Sequence, residues 1–578
     1  MKKIRVGLVI SVLLILFVAA CGVAETDTTT ENTETVTEVT QTPETPELTV
    51  TATPTPTPLP LVELTYDFND LYCFKSHDTA ELIEEDGSVR LWFGKQYGQS
   101  TFFLPQPIDL SECVYVTVNA KSGDGEISMK LQDERARESI WTPAVAAKFD
   151  IKGEEKQEYK CYVLPGSTAY AVSFSAEDDP KVLENFRATI YDVTFHMKPG
   201  YELPEKEVAA EENETTLRNT YGTVFEYVGT EATSEDLLSE KDFNFIKKHF
   251  NTIHIGHESK QSSILANCYK GGPILISVEE AKELGYIIPD SYKETMVPAL
   301  RYGMMDSVMR KCAENNLAMR FLCLIWHEPA ISWFHRVDYA TDGDFVSEEV
   351  MDARFEFYIT NVVTHLCESK YRDILCGMDV MNEYLHINND ETWAEVYGDP
   401  TEQPEFVKKI FEWVDEVLRQ YGMREQVSLV FNDYHTFNNV PQIINIINYI
   451  NSDGKVCDGV GMQMHMTTAY PNPITKYWDA LTAFIDAGFE IHVAEMDICI
   501  AEGHTETDLA QRYYEIMTYL LEAKKAGGNI TQLIWFGHED KTSWLKEYTP
   551  LLFSEVDKPK EAYFKVLEAY EDAGFEKE

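Results

Sequence analysis

Two stretches place a carboxylate where an apolar strand should be closing: "MDVMNE", ending at Glu383, and "VAEMDI", carrying Glu495. In the first, Met378, Val380 and Met381 read as a buried strand, and Asn382 and Glu383 follow at once. Burying a charge without a partner is costly, so such a residue needs a use. Two carboxylates flanking one bond are what glycoside hydrolysis requires. One, protonated, gives the leaving oxygen its proton; the other, ionised, attacks the anomeric carbon. Their repulsion raises the pKa of one, so the pair holds a single proton. Taken singly, either glutamate also reads as a strand-end acid paired with Lys or Arg.

Other strands end in the same way. Polar residues recur as His327, as Asn432, Asp433 and Tyr434, and as Gln463 and His465, which are two apart and so share a strand face. Asp497 follows Glu495, and an eighth strand ends near Trp535 and Phe536. His257-Glu258, His327-Glu328 and "GHED" at 537–540 offer metal-ligand types, but none has the HExxH helical spacing. No metal and no cofactor is expected.

These residues need elements that bring them to one place. From 217 onward the pattern alternates strand and helix: "YGTVFEYV", "NTIHIG", "MRFLCLIW", "ILCGMDVM", "VSLVFND", "DGVGMQMH", "EIHVAEMDI" and "ITQLIWFG" are the strands. Eight such units predict an α/β fold, a closed (β/α)8 TIM barrel over 217–578 whose strand C-termini share one site. An open doubly wound sheet is the alternative, but no GxGxxG follows a strand.

Residues 62–198 instead alternate with period two. "VYVTVNA" puts Val114, Val116 and Val118 on one face; "ISMKLQ" does so with Ile127, Met129 and Leu131, and "IYDVTFHM" with Tyr191, Val193, Phe195 and Met197. An antiparallel β-sandwich of carbohydrate-binding-module size is expected. Trp92, Tyr97 and Trp141 are its candidate sugar platforms, or else ordinary core and surface aromatics.

Residues 1–20 carry Lys2, Lys3 and Arg5 and then an apolar run, as a secretory leader does. Val18-Ala19-Ala20-Cys21 resembles a lipobox, which implies lipidation of Cys21 and anchoring at a bacterial cell surface; an ordinary leader with a chance cysteine is the alternative. Residues 21–61, rich in Thr, Glu and Pro, read as a disordered tether spanning about 35 Å, and 199–216 as a second linker. The formal net charge of −48 argues against nucleic-acid binding. The remaining ten cysteines are scattered without CxxC, and most read as buried thiols.

Residues 217–570 resemble glycoside hydrolase family 10, the endo-β-1,4-xylanase family: "MDVMNE", "FNDYH", "GVGMQMH" and "VAEMDI" stand in that family's order and spacing. The resemblance implies a retaining double displacement on xylan, with Glu383 as acid/base and Glu495 as nucleophile. It implies that Asn382 bonds the sugar 2-hydroxyl and that His465 orients Glu495. Lys260, His327 and Gln463 would line the subsite beside the scissile bond, and Tyr434 would stack on the aglycone side. Phe536 stands in the place of a platform tryptophan, with Trp535 one register away, and Trp544 matches. The departures lie on the glycone side. "IGHESK" has Gly256 and His257 where the family has Glu-Asn, Pro329 replaces a Gln, and the 261–300 loop is long. Decorated xylan or another β-glycan is therefore an alternative substrate, and a non-catalytic polysaccharide-capturing lipoprotein the alternative of another class. A monomer is expected.

Overall fold

The computed structural model describes residues 59–575, apart from 124, 140, 143–147, 164–165, 181–185, 205–214, 266, 269–271, 329–330 and 388–391. The expected leader, Cys21, the expected tether to 58, most of the expected second linker and Pro329 lie outside the described residues. Among those described, no helix is long and apolar enough to cross a membrane.

Antiparallel pairing builds two sheets from Val62 to Met197. One orders Thr79–Ile83, Val89–Phe93, Arg187–Met197, Cys113–Ser122 and Gln157–Tyr162, with Val62–Tyr66 paired to Arg187–Met197. The other orders Tyr72–His77, Gln99–Asp109, Thr168–Ala176, Ile127–Gln132 and Lys148–Ile151. Ile127, Met129 and Leu131 are fully buried, as their alternation requires. Val114 and Tyr191 depart from the expected face and are only half-buried. Each is skipped in the pairing of Cys113–Ser122 with Arg187–Met197, where the register shifts, and a bulge residue leaves the face its neighbours share. Trp92 is no sugar platform: it is buried and donates from Nε1 to Glu280 of the C-terminal region at 3.3 Å. Tyr97 and Trp141 are exposed.

Eight parallel strands close the barrel: β1 (Tyr227–Ala232), β2 (Thr252–Ile255), β3 (Ala318–Phe321), β4 (Leu375–Asn382), β5 (Ser428–Tyr434), β6 (Gly459–Thr467), β7 (Glu490–Cys499) and β8 (Ile530–Trp535). The long helices that follow them in turn are α1 (Glu240–His249), α2 (Gly303–Ala313), α3 (Glu348–Glu368), α4 (Glu405–Gln420), α5 (Val440–Ile450), α6 (Thr475–Asp486), α7 (Glu506–Lys525) and α8 (Glu561–Asp572). The main apolar core lies where these helices pack on the strands. β1 begins six residues later than expected. "YGTVFEYV" opens with helical turns because Thr216 and Asn219 form a capping box that nucleates a short helix at Leu217–Thr220.

Inside the barrel the filling is partly ionic. Arg320 on β3 bonds Asp379 on β4, His492 on β7 and Gln532 on β8, while His254 on β2 lies 3.2 Å from Asp379. Arg320 and Asp379 are fully buried. Burial opposes charge on Asp379, but the Arg320 guanidinium outweighs it and holds the carboxyl below its ordinary value. Nine of the described cysteines are free thiols, and of these all are buried except the half-buried Cys161 and Cys499.

The sandwich seats directly on α2 and the loops beside it. Arg310 lies 3.6 Å over the Tyr72 ring, the Cys73 amide donates to Ser307 Oγ at 2.7 Å, and Arg187 pairs with Glu280 at 2.7 Å.

Candidate active site

Strand register places the polar residues side by side at the barrel mouth. Asn382 pairs with Asn432, Tyr434 with Gln463, Gln463 with Glu495, and His465 with Asp497. Neighbouring strands run about 4.8 Å apart, so these side chains converge although up to 115 positions separate them in sequence. Three amides join the two glutamates. Gln463 Nε2 donates to Glu383 Oε1 at 3.1 Å and to Asn382 Oδ1 at 3.0 Å. Asn432 Nδ2 donates to the same Asn382 oxygen and to Glu495 Oε1, both at 2.8 Å. The Asn382 oxygen is thus shared by two donors, one bonded to each glutamate of the pair. Asn432 needs room that only a glycine leaves: a Cβ at Gly461 would stand 2.2 Å from its Oδ1.

Glu383 sits just past β4 with φ 55° and ψ 38°, a left-handed conformation disfavoured for a non-glycine residue. That turn aims the carboxylate across the mouth, where Trp326 Nε1 donates to Oε2 at 2.8 Å. Its pKa is pushed up to about 7, first by burial and then by the Glu495 charge, against the Trp326 and Gln463 donors. A carboxyl poised there can give a proton at neutral pH and take one back.

Glu495 is buried and lies 3.2 Å from His465 Nε2; His465 Nδ1 lies 2.9 Å from Asp497 Oδ1. Burial disfavours the imidazolium, but Asp497 and then Glu495 outweigh it and raise His465 to about 10. A cation therefore stands against Glu495 at neutral pH. Asp497 also accepts from Trp544 Nε1 at 2.8 Å, which fixes this exposed indole edge-on to His465 at 5.2 Å.

The other expected residues divide. Lys260 Nζ lies 5.0 Å over the Trp326 ring. His327 Nε2 lies 3.6 Å from Glu383 Oε2, and burial holds this imidazole down at about 4, so it is neutral. Tyr434 flanks the other side, stacked on His386 at 3.9 Å. Phe536, half-buried, meets His465 edge-on at 5.4 Å. Trp535 is no cleft residue: it is buried against Phe250, because adjacent strand positions face opposite sides. The "GHED" acids and histidine have protein partners: His538 with Asp242, Glu539 with the Val556 amide, and Asp540 with Lys560.

Sequence reasoning named Asn432 and Asp497 as strand-end residues without giving them a role, and it missed Glu231. Glu231 was hidden by the misplaced β1. Its carboxylate fills the space beside Gly256, where an added Cβ would lie 2.0 Å from Oε1. Burial and then Asp236 raise its pKa to about 8, against Lys260.

A closed parallel barrel whose strand ends join two glutamates in unlike settings, one raised near neutrality and one held by a cation, defines a two-carboxylate glycoside hydrolase. The chain belongs to glycosyl hydrolase family 10, whose model matches residues 216–569. It is 38% identical to endo-1,4-β-xylanase A of Butyrivibrio fibrisolvens over 61% of this chain and 84% of that protein. It is 28% identical to the bifunctional endo-1,4-β-xylanase of Ruminococcus flavefaciens over 61% of this chain but 34% of that one. In fold it resembles the CBM22-1 and GH10 modules of the Clostridium thermocellum N-terminal endo-1,4-β-D-xylanase 10B, crystallised with xylohexaose. The TM-score is 0.61 at 22% identity, covering 88% of this chain and 97% of that one.

Proposed function

We propose that this enzyme is a retaining endo-β-1,4-xylanase. The observation that carries the reading is the Glu383–Glu495 pair, joined by three amides in a family 10 barrel. The naming of both curated relatives as endo-1,4-β-xylanases supports xylan as the substrate.

In the first step Glu383 protonates the glycosidic oxygen as Glu495 attacks the anomeric carbon; the C–O bond breaks and a glycosyl ester forms with inversion. In the second, Glu383 takes a proton from water, the water attacks the same carbon, and Glu495 leaves, giving net retention. In this reading Asn382 bonds the sugar bound beside Glu495. Trp544 and Phe536 give aromatic walls on one side of the pair and Tyr434 on the other.

A second reading is favoured by the strand β2 loop. Gly256 and His257 replace two polar residues usual in the family, and Glu231 stands in the vacated space. This remodelling suits decorated xylan or another β-glycan. Reducing-sugar release from plain xylan, arabinosylated and glucuronylated xylans, mixed-linkage glucan and mannan separates these readings. Highest kcat/KM on a xylan is expected; binding to xylan with no release from any β-glycan sinks the enzymatic reading.

Residues 1–20 are the leader of a lipoprotein in this reading, Cys21 its lipidation site, and 21–61 a tether holding a monomeric enzyme at the bacterial surface. The sandwich acts as a carbohydrate-binding module. Cys21→Ala tests the anchor: the protein should move from the membrane to the soluble fraction, and unchanged partition refutes it.

A further inference from the structure

We propose that the groove between sandwich and barrel is a distal saccharide subsite of the catalytic cleft, with Trp141 as its stacking platform. The site would take the far glycone end of the same β-1,4-linked pentopyranose chain that is cleaved at Glu383. This rests on the xylanase reading and extends it.

The groove has a volume of about 530 Å³ and draws walls from both halves of the molecule: His77 and Trp141 from the sandwich, and Glu235, His257 and Glu258 from the barrel. That volume is ordinary for a small-ligand site. Trp141 is 53% exposed, so its indole is accessible from the groove it lines. It is not a loose surface residue. Its amide is held by Ser139 Oγ, the next residue, Thr142, is buried, and Gln132 Nε2 donates to the Thr142 carbonyl at 2.7 Å. The His77 ring packs T-shaped against the indole at 5.6 Å. An indole face beside hydroxyl-bonding carboxylates and imidazoles suits a pyranose, with its apolar C–H face and polar rim.

One loop links the groove to the cleft. His257 and Glu258 lie in the groove, and Lys260, on the same loop, stands over Trp326, which donates to Glu383. Glu258 is buried and ties this loop to the loop after β1, accepting from the Ser234 amide at 2.9 Å and the His257 amide at 3.2 Å. Lys75 of the sandwich pairs with Glu235 of the barrel at 2.7 Å, and both residues line the groove. The absence of a side chain at Gly256, next to His257, leaves room for the Glu231 carboxylate beside the same loop. A chain leaving the Glu383 site over β2 therefore meets His257 and then Trp141. The longer glycone path supplies contacts that the altered residues at 256 and 257 withdraw from the inner cleft.

The test is chain-length dependence. For the wild type, kcat/KM is measured on xylotriose and on xylohexaose, and the ratio of long to short compared among variants. Trp141→Ala should lower that ratio about tenfold, the worth of one aromatic contact, through KM on the long substrate. His257→Ala, on the opposite wall, should lower it in the same direction and guards against a folding effect specific to one variant. Tyr97→Ala, at a sandwich aromatic that does not line the groove, should keep the wild-type ratio. An unchanged ratio in both Trp141→Ala and His257→Ala, with xylan still cleaved, overturns the subsite and leaves the xylanase reading standing. An equal loss in Tyr97→Ala also overturns it. Failure of the wild type to cleave either oligosaccharide overturns both.

Discussion

Glu495→Ala is expected to lower kcat on xylan by at least about 10⁴-fold, with folding intact. No other carboxylate can take its place: Asp497, two residues on along the same strand, is bonded to His465 and Trp544 and is buried. The milder Glu495→Gln should lose activity similarly and also carries a spectroscopic signature. His465 stands at about 10 because Asp497 and Glu495 outweigh its burial. With the Glu495 charge gone, NMR titration should show His465 deprotonating at lower pH, and Glu383 should fall below its present value of about 7. The first-formed product of the wild type should have the retained anomeric configuration. An inverted product, or residual activity within tenfold of wild type in Glu495→Ala, would contradict the nucleophile role.

Glu383→Gln has the second-largest effect, and it divides by leaving group. Removing a general acid costs about 10² to 10⁴-fold for a sugar leaving group, and much less for an aryl glycoside whose phenolate needs no proton. In the wild type the first step requires protonated Glu383, so kcat/KM should fall as pH rises through about 7, and this basic limb should vanish in the variant. Stability should move the other way. The carboxyl's folded pKa of about 7 lies above its ordinary 4.5, so the folded protein holds the proton more tightly than the unfolded chain. That preference favours the fold at pH below 4.5 and is lost progressively as pH rises to 7. Above it the buried charge is a penalty of about 3 kcal/mol. Glutamine removes that penalty but sets an amide N–H against the Gln463 donor, so a net gain of about 1–2 kcal/mol remains. Thermal unfolding should show the variant more stable than wild type at pH 8 and less stable by about 1–2 kcal/mol near pH 4, where Glu383 is already neutral and only the amide mismatch remains. A variant less stable at pH 8 would mean that Glu383 is not held under electrostatic stress.

Much of this architecture is legible along the chain because each barrel strand carries its own signal. "ILCGMDVM" and "EIHVAEMDI" are apolar runs with a polar residue at the C-terminal edge, and a closed parallel sheet requires just that pattern. β1 was misplaced because a local capping box at Thr216 and Asn219 overrode the alternation that follows it, and with β1 went Glu231. Val114 and Tyr191 were assigned to the wrong face because a bulge is a property of two strands in register, not of one. Trp535 and Phe536 could not be told apart without knowing which position the strand turns inward.

The sequence by itself determined the barrel and the sandwich and pointed to Glu383 and Glu495 as the candidate acid pair, because period, strand-end chemistry and motif spacing are local and survive being read one segment at a time. Only the tertiary structure decided how those acids differ. The values of about 7 for Glu383 and about 10 for His465 arise from burial and from charges on other strands, and both vary with distances that no spacing encodes. It also decided that Glu231 stands where Gly256 has no side chain, and that Trp141 of the sandwich faces His257 of the barrel across one groove. Those are meetings of segments from different parts of the chain, set by how strands pair and halves dock.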